Sequence, residues 1–291
     1  MARPQKLKTK IFLDGGIPTE TKEIVRLLGF LDGQTTNPTL ITKHPSFQAC
    51  QKIGEKCTEK DVWGYYKEIV SEISPLVRDG SVSIEVYADH RTKAEEMIAK
   101  GEELFTWIPN AHVKLPTTTE GLKAAEVLVS KGIRINMTLC FSQEQAAAVY
   151  TATRDAKQGD VFLSPFIGRL DDLGENGINL IKNILSLYRD SDNHVEVLTA
   201  SVRSLDHFLA ALALGSNIIT SPAKILREWA EKGMPIPDET YQYNRDDLKD
   251  IPSTKLDLSK NWQDFNISHT LTTKGIDQFV KDWNAIVRKE K

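Results

Sequence analysis

In the run His112-Val113-Lys114-Leu115-Pro116, a single lysine stands among apolar neighbours on a segment that ends at a proline. Side chains of a β-strand alternate faces, so on a strand Lys114 points away from Val113 and Leu115. With those two packed against outer helices, the amine points into a sheet or barrel interior. Desolvation disfavours the charged form of a buried amine, and a neutral amine attacks carbonyl carbon. The chemistry would be imine formation. A strand-end lysine can instead snorkel its head to water, so the residues around it decide.

Those residues are polar at the ends of other strand-like runs. Asp14 precedes Gly15-Gly16, and Thr35-Thr36-Asn37-Pro38 closes the next run. Val82, Ile84 and Val86 share one face of a third run, which leaves Ser83, Glu85 and Tyr87 on the other. In a fifth run Ile133, Ile135, Met137 and Leu139 face out, and Arg134, Asn136 and Thr138 face in. A sixth ends in Ser164-Pro165-Phe166 with Arg169 just beyond, and a seventh in Thr199-Ala200-Ser201-Val202-Arg203. Singly, each has a bland reading: Asp14 and Asn37-Pro38 as turn residues, the two arginines as surface groups. Glu85 is harder to dismiss, because a carboxylate inside a barrel is costly unless it is partnered or used.

Together the groups fit imine-based cleavage of a carbon–carbon bond. Lys114 attacks a ketone, Glu85 serves as acid and base in the dehydration, and Asp14 takes the proton of a β-hydroxyl. Asparagines and a serine hold polyol hydroxyls. Arg169 and Arg203 hold a phosphate bidentately. No metal and no cofactor is required, and the six histidines form no ligand-spaced cluster.

The elements that must position these groups alternate along the chain. Strands are expected at Lys10–Asp14, Gly33–Thr36, Val82–Ala88, His112–Pro116, Ile133–Leu139, Val161–Phe166, Val195–Ser201 and Asn217–Ser221. Helices are expected at Thr19–Leu28, Asp61–Val77, Arg91–Leu104, Thr119–Lys131, Gln143–Thr153, Gly177–Tyr188, Leu205–Leu214 and Ala223–Glu231, with an extra element between strands two and three. Strands alternating with helices argue a parallel sheet, and eight such units argue an α/β fold of the (β/α)8 barrel type. Thr117-Thr118-Thr119 supplies hydroxyl caps, Ser142 to Gln145 has the spacing of a capping box, and Ser221-Pro222 reads as a cap before an N1 proline. Beyond Glu231 the pattern breaks, with Pro235, Pro237 and Pro252 in a polar stretch anchored by Trp262 and Phe265. It closes in an amphipathic helix over Gly275–Lys289, where apolar residues recur at three and four. The expectation is one domain over 1–291: a barrel core at about 10–231 and a C-terminal helical extension at about 232–291, since a barrel takes about 250 residues.

Composition sets outer limits. The chain has 291 residues, 26% of them charged, and a net charge of −3, which gives no bulk attraction to nucleic acid. No window approaches the roughly 20 apolar residues of a membrane span, and no apolar segment follows the basic start. Cys50, Cys57 and Cys140, an odd count without metal-like spacing, argue against a disulfide framework and for a reducing, cytoplasmic setting.

In ordered blocks from Ile11 to about Ile225, the chain resembles the transaldolases, Schiff-base enzymes of the pentose phosphate pathway. The blocks are Phe12-Leu13-Asp14, Thr35-Thr36-Asn37-Pro38-Thr39, Ile84-Glu85-Val86, Val113-Lys114-Leu115-Pro116, the run from Asn136 to Ala146, the run from Ser164 to Asp171, and Ala200-Ser201-Val202-Arg203. The tail from Asn266 to Thr272 and the last helix resemble longer members. The resemblance implies a permuted aldolase-type barrel with Lys114 as Schiff-base lysine and Asp14 as base on the donor's C4 hydroxyl. It implies Glu85 acting through a water held by Thr138. Asn37, Asn136 and Ser164 would position the dihydroxyacetone fragment, and Arg169, Ser201 and Arg203 would bind phosphate. It implies sugar phosphates as partners, with neither nucleic acid nor membrane, and is compatible with a homo-oligomer. Fructose-6-phosphate aldolases, which release free dihydroxyacetone, are the alternative; Glu85, Thr138 and Phe166 favour transaldolase. A catalytically silent sugar-phosphate-binding barrel is the alternative from another class. Gly15-Gly16-Ile17-Pro18 departs from the family's more polar turn, which bears on the first loop.

Overall fold

Eight parallel strands pair in chain order and close into a barrel, β8 returning to β1. They are β1 (Lys10–Asp14), β2 (Gly33–Thr35), β3 (Ser81–Glu85), β4 (Ala111–Pro116), β5 (Ile135–Cys140), β6 (Val161–Pro165), β7 (Val195–Thr199) and β8 (Ile218–Ser221). The computed structural model describes residues 2–45, 47 and 57–288. Cys50 and Lys289, the last residue of the expected final helix, lie outside the described residues.

Helices cover the outer face. Ile11 and Leu13, Val82 and Ile84, Val113 and Leu115, and Ile135 and Met137 are buried between strands and helices. The alternation read from sequence therefore holds where the sheet is regular. Helix starts follow local chemistry: Thr118 Oγ1 accepts from Gly121 N–H and opens Thr119–Ser130. At Gln143–Ala152 only half of the expected box forms. Ser142 Oγ accepts from Gln145 N–H, but the Gln145 side chain accepts from Phe141 N–H and donates to Thr272 and Ile267. A neighbouring element has claimed it. Likewise Pro222 is the N-cap of Ala223–Glu231, not its first turn, with no side-chain cap.

The interior is layered. At the N-terminal end of the strands Lys10 Nζ pairs with Glu196 at 2.9 Å. Above it Phe162 stacks on His112 at 4.0 Å and meets Phe12 edge-on at 6.0 Å. His112 Nε2 donates to Gly159 O and Nδ1 accepts from Ser81 Oγ; burial holds the ring neutral and pushes its pKa down to about 3. This aromatic floor closes the barrel beneath the polar groups. It needs Gly33, where a Cβ would stand 2.5 Å from both Phe12 Cζ and Ser81 O.

The connection after β2 holds a short helix, Pro38–Ile41, as the extra element, and Glu59–Ile73 runs into a 3-10 turn, Ser74–Val77. A five-residue helix after β6, Ile167–Asp171, was not expected; it is too short to show a period. β3 ends at Glu85, so Tyr87 leaves the barrel and packs on Trp283 at 5.7 Å. Arg134 belongs to the opposite end, donating to Ala111 O and Pro109 O. In β5 the register slips between Met137 and Cys140, and Leu139 takes φ +59°, which ends the simple alternation.

After Glu231 the chain runs along the outside. Gln143 and Asn183 donate to Pro252 O and Ile251 O, and Arg154 to Leu258 O and Lys260 O. Trp262 and Phe265 are buried, as expected of anchors. The last helix, Thr270–Ile286, starts five residues earlier than its apolar stripe and crosses the C-terminal mouth of the barrel, where Thr272 Oγ1 donates to Leu139 O. One expectation is overturned here. Cys57 is disulfide-bonded, while Cys140 is a free buried thiol. An odd count leaves one thiol over but does not forbid a pair, and disulfides are uncommon in reducing compartments.

Gly33→Ala should lower stability by about 1–3 kcal/mol, the usual cost of overpacking, because one of the two clashes is with backbone. A urea midpoint equal to the parent's would contradict this account of the floor.

Candidate active site

β3 and β4 are in register with Glu85 opposite Lys114, and β4 and β5 with Lys114 opposite Asn136. All three side chains are buried, Lys114 at 3% and Glu85 at 4% exposure. Lys114 Nζ lies 2.9 Å from Glu85 Oε2 and 3.5 Å from Thr36 O. The first contact is one of charge more than of angle, for Oε2 has no well-aligned hydrogen-bond donor. Thr138 Oγ1 is also buried without a partner among the described residues.

The end of β3 is held by a relay absent from the sequence reading. Glu85 N–H donates to Tyr66 Oη at 3.0 Å, Tyr66 and Thr36 hydroxyls are 2.5 Å apart, and Thr36 Oγ1 donates to Ser83 O. With Thr36 donating to the carbonyl, Tyr66 donates to Thr36. Tyr66 is thus a neutral phenol, its pKa raised chiefly by burial.

Asp14 ends β1 and accepts from Thr35 Oγ1 at 2.8 Å; Thr35 in turn is 2.6 Å from Thr220 Oγ1. Burial raises the pKa of Asp14, opposed by the Lys114 charge and the Thr35 bond. Glu85 is shifted the same way by burial, again against Lys114. Two carboxyls and one amine therefore share a desolvated space in which the amine is what keeps the carboxyls ionisable.

Asn37 caps Pro38–Ile41, its Oδ1 accepting from Leu40 N–H, which leaves its amide nitrogen for the cavity. Asn136 donates to Ser83 Oγ and accepts from Ser164 Oγ at 2.7 Å. Ser201 follows β7 at φ +60°, its carbonyl accepting from Gly168 N–H. Gly168 is obligatory there, since a Cβ would lie 2.4 Å from Ser201 O.

Arg169 and Arg203 stand on the same side of the mouth. Arg169 lies over the rings of Phe166 and Phe279, at 5.3 and 5.7 Å. Its pKa is lowered by burial first and then by Arg203, so the two guanidiniums repel. Two neighbouring cations suit an oxyanion. Arg203 is pinned meanwhile by Asp172 at 2.6 Å.

Asp14, Asn37, Lys114, Ser164, Arg169, Ser201 and Arg203 all line one cavity of about 230 Å³. Glu85 reaches Lys114 from an adjoining recess under the last helix. Asn136 acts behind Ser164, and Thr138 sits at the strand end beside Pro116 in register. Thr35, named in the sequence only as a strand-end residue, also lines the cavity, as do Thr220 and Phe279, which the sequence reading missed. The signal for Thr35 and Thr220 was their place near the C-terminal ends of strands, where barrel sites lie. Phe279 had none, because nothing in its stripe says which surface the helix covers. Among the described residues no group of histidine, cysteine or carboxylate side chains is arranged to hold a metal ion.

Comparison with known proteins gives one family. Residues 11–290 match the family described as Transaldolase/Fructose-6-phosphate aldolase. A "Probable transaldolase" of Paracoccus denitrificans (strain Pd 1222) is 34% identical over 274 residues, covering 94% of this chain and 96% of that protein. A "Probable transaldolase 2" of Listeria monocytogenes serovar 1/2a is 34% identical over 281 residues, covering 97% and 99%. A "Probable transaldolase" of Caldicellulosiruptor saccharolyticus is 34% identical, covering 96% and 99%.

The raised carboxyl pKa values make a prediction about stability. A native-state pKa above the unfolded value means that the folded protein holds protons the unfolded chain releases. Stability is then lost as pH rises from the unfolded carboxyl pKa, about 4, through the native one. Lys114→Met removes the charge that limits both shifts, so the window extends upward. The unfolding midpoint of the variant relative to the parent should fall progressively from pH 4 towards pH 8. A constant gap would contradict the coupling of Lys114 to Asp14 and Glu85.

Proposed function

The chain belongs to the transaldolase/fructose-6-phosphate aldolase family, and from that premise we propose that it is a transaldolase. It carries a dihydroxyacetone unit from a ketose phosphate, sedoheptulose 7-phosphate or fructose 6-phosphate, to an aldose phosphate, glyceraldehyde 3-phosphate or erythrose 4-phosphate. The step belongs to the non-oxidative pentose phosphate pathway. The observation that carries this reading is the buried amine of Lys114, 2.9 Å from Glu85, in one cavity with Asp14 and two arginines.

Lys114 adds to the ketone carbon, and the carbinolamine loses water to give the iminium. Glu85, working through a water held at Thr138, moves the protons; the unpartnered Oε2 and Oγ1 of these two residues support that role. Asp14 takes the proton of the C4 hydroxyl, the C3–C4 bond breaks, and its electron pair enters the iminium to leave an enamine. The aldose departs with a carbonyl at the former C4. The acceptor's aldehyde carbon takes the enamine's electrons, Asp14 returns its proton to the new alkoxide, and hydrolysis frees the new ketose. Asn37, Asn136 and Ser164 hold the dihydroxyacetone hydroxyls, and Arg169, Ser201 and Arg203 hold the phosphate. The chain works as one unit, barrel and extension together, with no nucleic-acid or membrane partner. Self-association is consistent with this reading. Among the described residues no helix is long and apolar enough to cross a membrane. We place the enzyme in the cytosol on the strength of its sugar-phosphate substrates.

Transfer is favoured over release by Phe166. It lies 6.0 Å from Lys114 Nζ and has no hydroxyl to protonate the enamine, so the fragment waits for an acceptor. Fructose 6-phosphate turnover with and without erythrose 4-phosphate tests this. Sedoheptulose 7-phosphate should form rapidly with the acceptor, and free dihydroxyacetone should be scarce without it. Equal dihydroxyacetone release in both conditions would move the assignment to the aldolase. Phe166→Tyr should shift the balance towards release.

A further inference from the structure

His207, on the helix Leu205–Ala213, is buried and does not line the cavity. Its ring is nevertheless fully engaged. Nδ1 accepts from Arg203 N–H at 3.3 Å. The ring proton is therefore on Nε2, which lies 2.8 Å from Asp171 Oδ2 and 2.6 Å from the Tyr243 hydroxyl. Tyr243 Oη donates to the same carboxylate oxygen at 2.6 Å, and Gly177 N–H donates to the other at 2.9 Å. Asp171 is the last residue of the helix Ile167–Asp171 and stands two positions after Arg169. Tyr243 comes from the polar stretch that follows the barrel.

The bonds form a closed frame around the two arginines. Arg203 is tied to the Arg169 helix twice: through its side chain to Asp172 and through its backbone, by way of His207, to Asp171. Burial would raise the pKa of Asp171, but the bonds from His207, Tyr243 and Gly177 hold it below the ordinary carboxyl value. It stays an anion and an acceptor for all three. Neither arginine has a rigid element of its own. Arg169 rides on a helix of five residues, and Arg203 sits in the turn between β7 and the next helix.

We propose that His207, Asp171 and Tyr243 are positioning residues for phosphate recognition, setting the spacing of Arg169 and Arg203 and coupling that spacing to the C-terminal segment. The inference rests on the assignment of the two arginines to phosphate. It adds that the segment carrying Tyr243 determines how strongly the enzyme prefers phosphorylated over unphosphorylated substrates. Two guanidiniums that repel each other hold an oxyanion well only at a fixed separation, because bidentate geometry is directional.

The test compares Tyr243→Phe, His207→Leu, His207→Gln and, as a reference, Arg203→Ala. Tyr243 is half-buried and its variant loses a single hydroxyl, so it keeps the test alive if His207→Leu fails to fold. The measurements are KM and kcat for fructose 6-phosphate, competitive inhibition by inorganic phosphate, and the rate of borohydride trapping of dihydroxyacetone, which has no phosphate. Tyr243→Phe should raise KM and the phosphate inhibition constant together, roughly three- to tenfold, the size of an ordinary net hydrogen bond, since the lost bond acts on the arginines only indirectly. Its kcat should stay within about twofold and its dihydroxyacetone trapping should be unchanged. His207→Leu should lose more, and His207→Gln, whose amide can donate towards Asp171, should recover part. The proposal is overturned if the Tyr243 and His207 variants leave phosphate inhibition unchanged, or slow dihydroxyacetone trapping to the same extent, while Arg203→Ala shows the phosphate-specific loss. If Arg203→Ala itself treats phosphate and dihydroxyacetone alike, the phosphate site fails, and this inference with it.

Discussion

Putting one amine and two carboxyls into the buried upper half of a barrel is the constraint on which the rest of this structure depends. Barrel interiors are normally filled by aliphatic layers, and an unpaired charge there is costly. Lys114 and Glu85 meet this by facing each other across two strands in register. Asp14 meets it through a chain of two threonine hydroxyls. Neither device tolerates slippage. The strand register, the aromatic floor of Phe12, His112 and Phe162, and the Tyr66–Thr36 relay behind Glu85 all serve to keep three groups within reach of one another.

The mouth of the barrel shows what that constraint asks of the surrounding chain. Leu139 and Ser201 both sit in left-handed backbone at strand ends, a conformation that costs roughly 1–2 kcal/mol for a residue with a side chain. Each is held by a hydrogen bond from a neighbouring element, Thr272 at Leu139 and Gly168 at Ser201. The helix Thr270–Ile286 supplies the first of these and also brings Phe279 over Lys114 and Arg169, at 5.9 and 5.7 Å. A chain segment that looks peripheral in sequence thus forms part of the cavity wall. The segment before it contributes Tyr243 to the frame behind the arginines. The extension is structural and local to the site at once.

Much of this was legible beforehand, for a physical reason. Strand alternation is strict, so one lysine between Val113 and Leu115 and one glutamate between Ile84 and Val86 had to share the interior face. The same logic placed Asn136 and Thr138, while Ser164 was legible only as a polar residue at a strand end. It failed where regularity fails. The bulge after Met137 put Leu139 outside the pattern, the early end of β3 released Tyr87, and a five-residue helix was too short to announce itself. It also failed where a side chain answers to a distant partner. Gln145 has the spacing of a capping box but is claimed by Thr272, 127 residues away in sequence. His207 looked like an ordinary helix residue because Asp171 and Tyr243 reach it only in the fold. Counting cysteines missed the bond at Cys57, since parity constrains how many thiols are left over and not which of them pair.

The central claim is that the Lys114 amine is the covalent centre. It is tested most directly by borohydride reduction in the presence of fructose 6-phosphate, followed by mass mapping of the peptides. The account requires a dihydroxyacetone-sized addition on the peptide containing Lys114, absent without the sugar phosphate and absent in Lys114→Met. A label on another lysine, or no label from a protein that turns the substrate over, would contradict it.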